Sequence, residues 1–175
     1  MARIPYITVE DVDKEKSALL GLNPQLNIFK IAAHATNPIA SNFIGLPASV
    51  LLNGTLDPVL REMAIVRTGI LCRSDYEVYQ HRKVSRRVGM PAEKIASLDI
   101  GSTAPVFSEL ERLVLRFAEE TVERHKVTDE TFEALKRHFS DEQLVELAIA
   151  VGCYMMVSTF LNTFEVDIED QTAPS

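Results

Sequence analysis

Tryptophan is absent from this chain of 175 residues and aromatic residues make up only 7% of it, so any core must cohere through aliphatic packing. Cysteine is nearly absent as well: Cys72 and Cys153 stand far apart, inside or at the end of apolar helical stretches. No CxxC, HExxH or other metal-type spacing occurs. That excludes a disulfide framework and an ordinary zinc site, and both thiols read as reduced packing residues. Positive charge is in deficit, with 18 basic against 25 acidic side chains and a formal charge of -7. Such a field repels phosphate backbones, and no basic stripe with interleaved aromatics offsets it, so nucleic acid is not an expected partner. The basic cluster Arg82, Lys83, Arg86 and Arg87 falls in the last turns of an expected helix, where cations favour the negative end of the macrodipole. The other reading of that cluster is attraction of an anionic substrate. Long apolar runs are missing too. Met1 to Tyr6 holds none of signal-peptide length, and the uncharged run from Leu147 to Leu161 is shorter than the roughly 18 to 20 residues that span a bilayer. The chain is expected to be cytoplasmic, without a membrane partner, and to bury that run in a helical bundle.

What is present is helical periodicity throughout, with no run of alternating β-branched residues between turn signals. The expected fold class is all-α. With 46% hydrophobic and 25% charged residues, the length suits one globular domain. Its expected organisation is an N-terminal arm with a short helix over 1–24, a helical domain over 25–165 and a loose acidic tail over 166–175. Helices are expected at about 13–20, stopped by Gly21 with Pro24 behind it, and at 26–34, with Asn37-Pro38 as the next break. One over 39–52 ends at Asn53-Gly54, and Asp57-Pro58 opens another to Cys72. Ser74 with Glu77 fits a capping box for a helix that stops at Gly89, and Pro91 opens a short turn to Leu98. After a loop over Gly101 to Pro105, Ser108 with Glu111 caps an amphipathic helix, Thr128 caps one to His138, and Ser140 with Gln143 caps the long helix to Phe164.

That last helix is apolar almost all round, from Leu144 to Leu161, and needs neighbours on every side. Where one domain cannot supply them a second copy must, which predicts a homo-oligomer. An internal echo also appears: Asp57-Pro-Val-Leu-Arg-Glu-Met-Ala-Ile and Asp141-Glu-Gln-Leu-Val-Glu-Leu-Ala-Ile share five residues in register. Two capped core helices or a duplicated helical unit would each produce it. The echo pairs Glu62 with Glu146, which has no histidine downstream at similar spacing.

Chemistry concentrates between Glu62 and His81. Glu77, His81, Val84 and Val88 are spaced 4, 3 and 4, so a carboxylate and an imidazole share a core-facing stripe. A carboxylate one turn before a histidine fixes its tautomer and raises its basicity, which suits proton transfer near neutrality, and Glu62 is the candidate third member. The alternative is that Glu77, as third residue of a capping box, turns to the backbone and leaves His81 a satisfied core histidine.

The segment Leu60-Arg-Glu-Met-Ala-Ile-Val-Arg followed by Tyr76-Glu-Val-Tyr-Gln-His81 resembles the signature helix pair of the carboxymuconolactone decarboxylase and AhpD-like family. Phe107-Ser-Glu-Leu-Glu and the helix through Phe160-Leu-Asn162 resemble its C-terminal half, so the likeness covers roughly residues 25–165. It implies an AhpD-like helical bundle assembled as a trimer or hexamer. The peroxidase branch of that family carries a glutamate, then CxxC, then a histidine four residues past the second cysteine. Glu62 and His81 fall on the glutamate and the histidine, but Ser74 and Glu77 stand at the cysteine positions. Attacking and resolving thiols are both missing, and Cys72, two residues before Ser74, has no partner at CxxC spacing.

The resemblance therefore implies the thiol-free branch, a lyase that decarboxylates a small lactone acid without cofactor or metal. His81 is the expected acid, Glu77 orients it and Glu62 relays protons through water. Tyr76 is the expected donor to a developing oxyanion, or else an interface aromatic. His34, in an Ala-His-Ala context, is expected to line the pocket or to serve the end of its helix. The competing expectations are an AhpD-like peroxidase-related oxidoreductase and a non-catalytic oligomer that binds a small molecule.

Overall fold

A computed structural model describes residues 1–8 and 25–169; the helix expected at 13–20 and the tail beyond 169 lie outside them. Among the described residues there is no strand, and eight helices follow the caps and breakers of the sequence. They are α1 (Asn27–Ala32), α2 (Asn37–Asn53), α3 (Pro58–Leu71), α4 (Asp75–Arg87), α5 (Ala92–Ser97), α6 (Glu109–Arg124), α7 (Asp129–Leu135) and α8 (Asp141–Phe164). Asn37-Pro38 is the first turn of α2 rather than a break before it, because proline at a helix start loses no intrahelical hydrogen bond.

Local chemistry fixes most helix starts. Asp57 Oδ1 accepts from the Val59 N–H (2.9 Å) and the Leu60 N–H (3.1 Å) at the head of α3. Ser108 with Glu111 and Ser140 with Gln143 form reciprocal capping boxes, and the Thr128 hydroxyl accepts from the Thr131 N–H. The box expected at Ser74 does not form. Ser74 is the N-cap residue by position, but its buried hydroxyl has no partner among the described residues and Glu77 turns away towards His81. Gly101 lies at φ +86°, and a Cβ there would collide with the Glu119 carboxylate and the Arg67 guanidinium, so the bend before α6 needs glycine.

Helix α3 is the centre, packed against α4, α6 and α8. Leu113, Val114, Phe117, Leu147 and Val151 close one side of it, and Met63, Val66, Leu98, Phe107 and Leu115 another. A third cluster joins Ile31, Ile65, Tyr76, Tyr154, Val157 and Leu161 beneath the N-terminal arm.

The uncharged stretch of α8 runs on past Leu161 to Phe164, so by length and composition this helix could cross a membrane. Half of that apolar window is nevertheless buried against the rest of the chain. Val145, Ile149 and Met156 on α8, with Ile39, Leu46 and Leu52 on α2, remain exposed.

Residues 166–169, expected in a loose tail, are instead tied down. The Asp167 carboxylate accepts from the Ala2 N–H (3.0 Å) and the Tyr6 hydroxyl (2.9 Å) and pairs with the Met1 ammonium, while the Arg3 N–H donates to the Phe164 carbonyl. The N-terminal arm and this segment thus satisfy one another's polar groups, while Ala2, Ile4, Tyr6 and Val166 pack in the same apolar cluster.

Candidate functional site

Helices α3 and α4 are joined by a short turn in which Arg73 adopts φ +54°, and their antiparallel packing sets Glu62 beside His81. His81 Nδ1 lies 2.7 Å from Glu62 Oε2. On the other edge of the ring, Nε2 lies 3.1 Å from Glu77 Oε1, an ion-pair contact with a poor angle for a hydrogen bond. Glu62 is wholly buried, and Glu77 and His81 nearly so. Arg61, itself buried, places Nε 3.4 Å from Glu62 Oε1.

An imidazole with a carboxylate at each nitrogen is best served by two N–H donors, which only the cation has. Burial opposes that charge, yet the Glu77 charge, the hydrogen bond to Glu62 and the close contact with the Glu77 carboxylate outweigh it and raise the His81 pKa to about 10. The group at rest near neutrality is an imidazolium, an acid held between two bases.

His81 and Glu77 form part of the wall of a cavity of about 250 Å³. The rest is largely apolar, with Phe29, Phe43, Ile44, Leu51 and Val157 among its lining, and Tyr76, Gln80 and Tyr154 add polar atoms. Glu62 does not reach the cavity, so it stands behind the imidazole while Glu77 stands at the front. The expectation had Glu77 orienting the ring and Glu62 exchanging protons with water; it is Glu77 that faces the cavity, and Glu62 has no exposed surface.

Tyr76 lines the cavity as expected, but its hydroxyl donates to Glu169. Burial first, and that carboxylate second, push its phenol far above the usual range. It is therefore engaged rather than free for an oxyanion. A hydroxyl without a hydrogen-bond partner among the described residues belongs to Tyr154 on α8, whose ring meets the His81 ring edge-on at 4.7 Å and whose oxygen is buried. Burial, with the charges of Glu77 and Glu62 behind it, holds that phenol well above its ordinary pKa. Tyr154 was missed because tyrosine reads as one more apolar body in an apolar helix; the available signal was a lone hydroxyl that such a helix could not satisfy.

His34 does not line the cavity. Its Nε2 lies 2.8 Å from the Pro5 carbonyl at the exposed edge of α1, where the ring fastens the N-terminal arm. None of Arg82, Lys83, Arg86 and Arg87 lines it either; Arg82 pairs with Asp99, and the Lys83 ammonium stands over the Tyr79 ring. Burial and the Glu77 charge push up both thiols, Cys153 to about 11, and the Ser158 hydroxyl opposes the shift at Cys72. Neither is a ready thiolate near neutrality. The echo of Glu62 at Glu146 is architectural: Glu146 Oε2 accepts from the Thr55 N–H (2.8 Å) and the Leu56 N–H (2.9 Å) and ties that loop to α8.

Residues 39–120 match the profile of the Carboxymuconolactone decarboxylase family, a segment that contains Glu62, Tyr76, Glu77 and His81. The uncharacterized protein YnjA of Escherichia coli (strain K12) is 29% identical over 113 residues, 63% of this chain and 62% of that protein. The chain thus matches less than two thirds of that relative's length. A crystal structure of an alkylhydroperoxidase AhpD core, an uncharacterized peroxidase-related protein from Ralstonia eutropha JMP134, superposes with a TM-score of 0.85 at 21% identity, over 97% of this chain and 93% of that one. A putative antioxidant defence protein AhpD from Agrobacterium tumefaciens gives 0.72 at 23% identity over 79% and 96%. A variant of the debrominase Bmp8 in complex with 2,3,4-tribromopyrrole gives 0.79 at 16% identity over 97% and 94%. These likenesses extend the shared AhpD-like helical fold well beyond the segment that matches the Carboxymuconolactone decarboxylase family, and within that segment this chain has no CxxC pair.

Proposed function

We propose that the chain is a cofactor-free lyase that decarboxylates a small carboxylated lactone or a related conjugated acid by proton transfer. The observation that carries this reading is an imidazole held between two carboxylates at the wall of a largely apolar cavity. In such a substrate the bond to the leaving carboxylate breaks and its electron pair moves into the conjugated carbonyl, giving carbon dioxide and a dienolate. The substrate's own carbonyl is the electron sink, so no cofactor is called on.

The unpartnered Tyr154 hydroxyl suits the developing oxyanion, since a buried donor without a partner gains most when a charged acceptor arrives. The proton goes to carbon from His81, directly from Nε2 or through the Glu77 carboxyl beside it, and one proton taken later from solvent restores the imidazolium. Glu62 is a positioning residue that keeps the ring in place through Nδ1. The apolar wall and the Glu77 carboxylate disfavour a second carboxylate beside them, and that repulsion is relieved as carbon dioxide leaves.

Purified His81→Gln should keep its helical circular dichroism and lose turnover of a carboxylated unsaturated lactone, followed as carbon dioxide release. Undiminished release by that variant would end this mechanism. Thiol-dependent peroxidase activity is the weaker reading, because both cysteines are held protonated; peroxide consumption that disappears in Cys72→Ser or Cys153→Ser would reinstate it. We further infer that the chain associates with copies of itself through the exposed apolar residues of α2 and α8.

A further inference from the structure

Glu169 is the least expected resident of the site. It lies in what read as a tail, yet its carboxylate is gripped by three donors. The Asn27 N–H donates to Oε1 at 2.7 Å, the Tyr76 hydroxyl donates to the same oxygen, and Gln80 Nε2 donates to Oε2. Tyr76 and Gln80 are one helical turn apart on α4 and both line the cavity. Glu77 and His81 are their immediate neighbours in the chain. The cavity therefore has an acid–base pair on one stripe of α4 and a carboxylate receptor on the next.

We propose that Tyr76, Gln80 and the Asn27 N–H form a subsite for a carboxylate of an acid ligand, and that the chain's own Glu169 fills this subsite in the ligand's stead. This subsite rests on the reading of the cavity as a substrate site and adds what the substrate carries. A carboxylate held by three donors is stabilised as an anion and is correspondingly hard to lose as carbon dioxide. The group taken here is thus a second, non-reacting carboxylate, while the one that leaves lies in the apolar part of the cavity near Glu77 and His81. The ligand is an organic acid with a small apolar body and an anionic anchor.

Two carboxylates cannot share three donors at contact distance, so ligand and Glu169 exchange rather than coexist. The exchange does not require the terminal segment to come away. Asp167 anchors that segment independently, through Met1, Ala2 and Tyr6, and two residues further on Glu169 is only partly buried. Occupation by Glu169 lowers apparent affinity by the fraction of molecules whose subsite is filled.

The test is direct binding to the full-length chain, with benzoate as the anionic probe and benzamide as its neutral counterpart, by isothermal titration. Glu169→Ala should tighten benzoate binding about tenfold, equivalent to one competing polar contact, and leave benzamide within about twofold. Glu169→Gln, which keeps the size but not the charge, should fall between wild type and Glu169→Ala. Adding Tyr76→Phe and Gln80→Ala to Glu169→Ala should take the gain away. Benzoate affinity that is the same in wild type and Glu169→Ala would overturn the proposal. So would an equal gain for benzamide, which would make Glu169 a steric plug. Turnover is not read, so an inactive lyase and a mistaken subsite give different results.

Discussion

His81 is charged because its two carboxylate neighbours outweigh its burial, and the consequence is measurable in stability as well as in rate. Folding raises its pKa from an ordinary value near 6.5 to about 10, so the folded state binds the proton more tightly than the unfolded chain. The stability gained in this way is complete below about pH 6.5 and disappears as the pH climbs through 10. The melting temperature of the wild type should therefore fall between pH 7 and 10, and His81→Gln should flatten that slope. A wild-type slope that survives the substitution unchanged would place the titrating group elsewhere.

Among the elements, α4 does two tasks that compete at its first turn. Ser74 and Glu77 have the spacing of a capping box, but Glu77 serves His81, and the Ser74 hydroxyl is left without a partner. The helix tolerates this because α3 and α8 pack against it and tertiary burial outweighs one cap. Helix α6 makes the contrast: Ser108 and Glu111 cap it reciprocally, and Lys94 Nζ adds a 2.6 Å ion pair to Glu111. Ser108→Ala should cost about 1 kcal/mol in chemical denaturation, whereas Ser74→Ala, which removes an unsatisfied hydroxyl, should cost less than half of that. Equal losses would mean that the cap at Ser74 forms in solution.

For the whole molecule, the exposed apolar residues on α2 and α8 are the unfinished business of the fold. A helix apolar on nearly all sides finds neighbours for half of its surface within the chain, and Val145, Ile149 and Met156 remain outside. With a second copy as their cover, Ile149→Lys should lower the mass measured by light scattering in solution to that of one chain while leaving the helical spectrum intact. An unchanged mass would remove this face from the assembly.

The caps, prolines and glycines of the sequence were enough to place the helices, because each acts within four residues of itself: Asp57 with Pro58, Ser108 with Glu111 and Ser140 with Gln143 mark real starts. The Glu62, Glu77 and His81 set was legible for the same reason, being two polar groups on one stripe and a third on the preceding helix. What lay beyond the sequence was every decision made by distant parts of the chain. Helix packing put Glu62 behind the imidazole and Glu77 before it, brought Tyr154 from α8 to the ring, and drew His34 to the Pro5 carbonyl instead of the cavity. Glu169 reached Tyr76 across 93 positions. Local spacing specifies which side chains can share a face; which of them meets an unpaired partner is set only when the faces close on one another.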